Sequence, residues 1–138
     1  MTPQRTQRAQ STAEVGERDP LTHEVIGAAI AVHKAMGPGL LESVYQVCLA
    51  HELRRRRVAF QTGVRLPIMY NGEALKAHLR LDLLVENQLV VELKSVEHVL
   101  PIHTAQLLTY LKLSGQHLGL LINFNVTRLV DGITRLAL

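Results

Sequence analysis

Tryptophan is absent from the sequence, cysteine occurs once, and aromatic surface is limited to Tyr45, Phe60, Tyr70, Tyr110 and Phe124. A core must therefore be assembled mainly from Leu, Val, Ile and Ala. The material for one is present, because 47% of the residues are hydrophobic, a share that excludes a disordered chain. Cys48 has no second cysteine with which to form an intrachain disulfide. Long apolar runs are missing too. Leu118 to Ile122 and Leu89 to Val91 fall far short of the roughly 20 residues that cross a bilayer, so no membrane span is expected. The N-terminal residues include Arg and Gln but no apolar run that would act as a signal peptide, which makes the cytoplasm the expected compartment.

What is there suffices for one domain. A chain of 138 residues supports a single hydrophobic core and is too short for two ordinary domains. The formal charge of +3 and pI near 9.4 are compatible with a polyanionic partner, yet such a bias is common in proteins that have none. Residues 1–20 are polar and aperiodic and read as a mobile tail, which leaves 21–138 as the domain.

From Leu21 the pattern becomes helical. Ile26, Ala29, Ile30, His33 and Met36 recur at helix spacing behind Thr22 as the expected cap, and Gly37-Pro38-Gly39 stops the helix. A second helix is expected from Leu40 to Arg57. Val64, Leu66, Ile68 and Tyr70 then alternate with period two up to Asn71-Gly72, a strong hairpin signal, and Leu79, Leu81, Leu83 and Val85 mark the return strand. A turn over Glu86 to Gln88 leads to a third strand, Leu89 to Ser95. A third helix follows Pro101 and ends near Gly115. Leu118 to Phe124 reads as a buried central strand and Ile133 to Leu138 as a candidate edge strand.

Three charged residues stand where the pattern demands apolar ones. Asp82 lies in Leu81-Asp82-Leu83-Leu84-Val85, and Glu92 and Lys94 lie in Val90-Val91-Glu92-Leu93-Lys94. Charges in such strands are costly unless something pairs with them. Glu92 and Lys94 are two apart and share a strand face, and an adjacent Asp82 strand would bring two carboxylates and an ammonium together. Neighbouring carboxylates repel, and a hard divalent cation such as Mg²⁺ or Mn²⁺ relieves that repulsion. Such a cation polarises a phosphoryl oxygen and acidifies a bound water, while the lysine orients the water or stabilises developing charge.

An Asp followed ten residues later by Glu-x-Lys on the next strand resembles the PD-(D/E)XK nuclease superfamily. Gly39-Leu40-Leu41-Glu42-Ser43-Val44-Tyr45 is similar to the signature of its GxxExxY branch. Further similar stretches are Ala31-Val32-His33-Lys34, Gln106-Leu107-Leu108-Thr109-Tyr110-Leu111 and Gly119-Leu120-Leu121-Ile122-Asn123-Phe124. The resemblance implies an α/β fold with a restriction-endonuclease-like αβββαβ core, a central mixed sheet flanked by helices. It also implies a metal-dependent nuclease that uses a metal-activated water. The metal would be held by Asp82, Glu92 and the backbone carbonyl of Leu93, with Lys94 as the catalytic lysine. Glu42 takes an extra acidic role, and Gln106 and Tyr110 a supporting one. Leu81 stands where the superfamily's pattern has proline, a position at which this branch is variable.

Nucleic acid is the implied partner, DNA ahead of RNA, with Tyr45, Arg54, Arg55, Arg56 and Arg57 as candidate contacts. Blander readings stand beside these. Asp82, Glu92 and Lys94 would also suit a buried ion-pair cluster, Glu42 a helix N-terminal acid, and the arginines a solvated helix end. His33 reads as a structural histidine, and His98 and His103 lack the further ligand that zinc needs. Two rival functions remain at this level: a non-catalytic nucleic-acid- or protein-binding scaffold, and a subunit of a homo-oligomer or larger complex marked by an exposed apolar patch.

Overall fold

The computed structural model describes residues 19–138; most of the expected tail, residues 1–18, lies outside the described residues. Helix α1 spans Pro20–Met36 and α2 spans Glu42–Arg55. Strands β1 (Phe60–Tyr70), β2 (Glu73–Val85) and β3 (Leu89–Lys94) follow as a meander. Helix α3 (Pro101–Ser114) then leads to β4 (Leu118–Asn123), and a 3-10 turn (Leu129–Gly132) leads to β5 (Ile133–Ala137).

The first helix starts earlier than the apolar spacing suggests. Asp19, not Thr22, is its cap: Leu21 N donates to Asp19 Oδ1 at 3.1 Å, and the Thr22 hydroxyl donates to Oδ2 at 2.6 Å. Pro20 fits the first helical position, where its missing N–H costs nothing. Thr22 thus reinforces the cap from one turn inside.

The five strands lie in sequence order, β1-β2-β3-β4-β5. All neighbours are antiparallel except β3 and β4, which are parallel because α3 carries the chain back across the sheet. The result is a mixed five-stranded sheet with flanking helices, a restriction-endonuclease-like α/β fold. Asn71 and Gly72 both take left-handed backbone angles, φ 52° and 78°, as a tight β1–β2 hairpin turn requires. Leu118 to Asn123 is interior, and β5 forms an edge, both as the apolar patterning indicates.

Each face of the sheet has its own core. On one side Val25, Ala29 and Val32 of α1 and Leu49 and Leu53 of α2 pack on Leu83, Val85, Val91, Leu93, Leu120 and Ile122. On the other, Leu107 and Leu111 of α3 cover Leu81, Leu84, Val90 and Leu121. Alternation along β3 therefore sends Val91 and Leu93 to α1 and α2, and Val90 and Glu92 to the α3 side. Removing one of these leucines by substitution to Ala costs about 2 to 5 kcal/mol.

Candidate active site

Period-two alternation breaks in β2 at Asp82. Leu83 packs with the α1–α2 core, yet Leu81, two residues earlier, belongs to the α3 core. The paired strand turns at the same place: Gly63, opposite Asp82 in the register, has φ +58°, and a Cβ there would lie 2.8 Å from Arg80 Nη2. A strand glycine with positive φ and no side chain lets both strands change face and lets the Arg80 guanidinium lie across the backbone.

The β2–β3 ladder ends at this break. Backbone pairing covers Val85↔Leu89, Leu84↔Val90 and Leu83↔Val91. The next pair in register would be Asp82 with Glu92, and there side chains replace the ladder. Asp82 N donates to Glu92 Oε2 at 2.9 Å, and Leu93 N donates to Asp82 Oδ2 at 2.8 Å. Each carboxylate thus satisfies a backbone N–H orphaned by the parting strands and is fixed in direction by doing so. Oδ1 of Asp82 and Oε1 of Glu92 make no hydrogen bond among the described residues.

This geometry is electrostatically uncomfortable. Burial raises the Asp82 carboxyl above the ordinary range; the Leu93 N–H opposes that, Glu42 adds to it, and Lys94 and Arg80 draw it back. Glu92 is only 6% exposed and is pushed up to about 8, first by burial and then by the neighbouring Asp82 charge. Lys94 lowers both but forms no ion pair within 4 Å of either among the described residues. A closed ion-pair cluster would show the opposite, with a short Lys94 contact holding both carboxyls ionised. The donors are instead hard oxygens lacking positive charge, which suits a divalent cation.

A family model described as the PD-(D/E)XK nuclease superfamily matches residues 19–136. The chain belongs to this superfamily. No curated protein and no solved structure matches it. Superfamily members are generally nucleases that use divalent metals such as Mg²⁺, and their substrate is nucleic acid. The carboxylate pair fits such a metal by its oxygen chemistry. Among the described residues no three His, Cys, Asp or Glu side chains converge to hold one, so the side chains offer such an ion two carboxylates, with water available to complete its shell.

Around the pair, Glu42 begins α2 and accepts from Ser95 N at 3.3 Å. It raises both carboxyls without joining them in a common ligand set. Tyr110 on α3 is half-buried, and burial followed by the charges of Glu92 and Asp82 raises its hydroxyl, so it faces the site. Gln106 stands one turn earlier on the same helix face, also half-buried.

Two groups of expected nucleic-acid contacts lie elsewhere. Tyr45 is 0% exposed: its ring stacks on Phe124 with centroids 4.3 Å apart, while its hydroxyl donates to Gly37 O and accepts from Leu40 N. It pins the loop that presents Glu42 and offers no surface to a ligand. Arg54 and Arg55 end α2, thirteen residues and so about 20 Å from Glu42. Arg54 covers the Phe60 ring, Arg55 is 3.7 Å from Glu52, and Arg56 binds Glu52 and Glu24, at 2.9 and 2.8 Å. Arg57 follows the helix with φ 60°. This cluster knits α2 to α1 and β1 and is not brought to the carboxylates.

Other residues at the site carried weaker sequence signals. Arg80 and Gly63 have been described; a glycine inside an alternating strand marks a close backbone approach. Asn123, buried at the end of β4, accepts from Val96 N and donates to Val96 O, so it locks the segment that follows Lys94. Its polarity at the end of an apolar strand was the available clue. Ser95 Oγ donates to Leu40 O at 2.6 Å and ties that segment to the Glu42 loop.

Proposed function

We propose that this protein is a metal-dependent nuclease that hydrolyses phosphodiester bonds in DNA or RNA by direct attack of water on phosphorus. The observation that carries this reading is the Asp82–Glu92 pair, held carboxylate to carboxylate by backbone N–H groups with Lys94 close but unpaired. The Gly39 to Tyr45 stretch supports placing the chain in the GxxExxY branch.

Asp82, Glu92 and the Leu93 carbonyl would hold Mg²⁺ or Mn²⁺, which supplies Lewis acidity toward a phosphoryl oxygen and lowers the pKa of water. Lys94, within electrostatic reach of both carboxylates, orients the attacking water or stabilises charge developing on the phosphate. Glu42 adds an acidic group from α2, and Tyr110 with Gln106 lines the α3 side and positions the phosphate.

The test is a cleavage panel of single- and double-stranded DNA and RNA in Mg²⁺ or Mn²⁺, run beside chelator and Lys94→Ala. Cleavage that vanishes in chelator and in Lys94→Ala is expected. Cleavage indifferent to both would overturn the reading.

A second reading has one observation in its favour. Leu100, at the N-terminus of α3, and Ile102, Leu108 and Leu113 within it are exposed although its inner face is already packed, which suits a subunit interface. A sedimentation velocity run that gives a monomer at all accessible concentrations would remove self-association from this account.

A further inference from the structure

Strand β2 is 13 residues long but β3 is only 6, and β3 pairs with β2 no further out than Leu83. The rest of β2 pairs with β1 alone, so the hairpin leaves the sheet as a two-stranded ribbon that begins at the carboxylates. Its residues from Met69 to His78 are exposed. Along one face Arg65 lies directly opposite Arg80, and Pro67 opposite His78. Like charges placed opposite one another across strands destabilise a sheet. No acidic side chain lies within 4 Å of Arg65, Lys76 or Arg80 among the described residues. Glu73, at the turn, is the one carboxylate between Phe60 and Arg80. The positive track thus meets no carboxylate within 4 Å among the described residues, its one side-chain partner being His78 Nδ1 at 3.1 Å from Arg65 Nη2, and an open groove of about 500 Å³ lined by Arg65, Pro67, Leu75, Lys76, Ala77 and His78 runs beside it.

We propose that this ribbon is a docking arm for duplex DNA, with Arg65, Lys76 and Arg80 holding phosphates of the duplex whose bond is presented to Asp82 and Glu92. The proposal rests on the nuclease reading and adds a surface to it. Arg80 joins the two: its guanidinium lies on Gly63 and draws down the Asp82 carboxyl, so the track runs unbroken into the site. Lys76 precedes Asp82 by six residues, on the order of 20 Å of strand, or about six nucleotide steps along a duplex strand. A two-stranded ribbon fits the major groove of B-form DNA, whereas the major groove of A-form RNA is too narrow to enter. Single strands are gripped by successive aromatic platforms, and the ribbon's one exposed Phe, Tyr or Trp is Tyr70, at its tip.

The experiment uses the full chain carrying Lys94→Ala, in Mn²⁺, and measures anisotropy of labelled duplex DNA across a salt series. Adding Arg65→Gln with Lys76→Gln should weaken binding about tenfold or more and reduce the magnitude of the salt slope by about 2, one for each lost phosphate contact. Arg65→Lys should keep the slope, and Arg54→Gln with Arg55→Gln, at the far end of α2, should change neither quantity. Both ribbon residues are exposed and Arg65 faces Arg80, so melting temperatures should stay level or rise. If duplex DNA binds but the ribbon pair leaves affinity and slope unchanged, the arm is overturned while the nuclease reading stands. Ribbon-dependent binding confined to single strands or RNA overturns the duplex assignment. No nucleic-acid binding at all overturns the arm, and the cleavage panel then decides the parent reading separately.

Discussion

The two parts of β2 on either side of Asp82 follow different rules. From Leu83 to Val85 the strand is paired on both edges and buried on both faces, and its side chains are apolar. From Asp82 backwards it has lost β3, its N–H at Asp82 is satisfied by a glutamate, and beyond the buried Leu81 its side chains are largely exposed, Lys76 and Arg80 among them. Sequence distance between the two regimes is one residue. On the proposed reading, stability resides chiefly in one part of the strand and chemistry at the break, because a parted ladder is where backbone groups need side-chain partners and where carboxylates can be held close.

Paired substitutions test that division most severely. Asp82→Asn keeps an oxygen for Leu93 N but removes the charge that, with burial, holds Glu92 above its ordinary range, so unfolding of the protein in excess chelator should show stability level or raised. Cleavage in Mn²⁺ should fall by at least about a hundredfold, since an amide neutralises a hard cation poorly. Leu83→Ala should do the reverse, costing about 2 to 5 kcal/mol on denaturant unfolding while the folded fraction still cleaves. A large stability loss in Asp82→Asn with cleavage retained would make the pair structural.

A smaller effect should appear with pH. Glu92 holds its proton in the folded protein up to about 8 but releases it near 4.5 when unfolded, so the folded state binds the extra proton between those values. The stability this provides is complete below about 4.5 and is lost as pH rises through about 8. In chelator the melting temperature should accordingly decline across that window, by an amount worth at most a few kcal/mol. Glu92→Gln should flatten the decline, and a wild-type profile already flat would show that the carboxylates do not crowd one another.

The smallest expected effect concerns Tyr45, which shares the helix bearing Glu42 but belongs to the stable region. Tyr45→Phe leaves the stack on Phe124 and strands Gly37 O and Leu40 N, at a cost of about 1 to 3 kcal/mol. Duplex affinity of the folded protein should not change. A selective loss of affinity would return Tyr45 to the nucleic-acid surface from which its burial removes it.

Much of this architecture was legible residue by residue. Alternation at Val64 to Tyr70 and the Asn71-Gly72 turn announce the hairpin, and Pro101 and Gly115 bracket α3. Asp82, Glu92 and Lys94 stood out because charge in an apolar strand demands a reason. Period-two reading fails at Leu81, where the strand changes face, and apolar spacing points to Thr22 as the cap because Asp19 and Pro20 carry no apolar signal.

Local rules determined the elements, their order and the presence of a charged centre, since propensity, turn chemistry and burial act within a few residues. Tertiary structure alone decided which charges meet. Arg54 to Arg57 look the more basic patch in sequence, but helix rise carries them about 20 Å from Glu42, acids engage Arg55 and Arg56, and Arg54 lies over the Phe60 ring. Arg65 and Arg80, 15 residues apart in the chain, become partners only when the hairpin closes. Whether a charge is spent inside the fold or left for a ligand depends on what the other elements bring beside it, and no window of sequence contains that information.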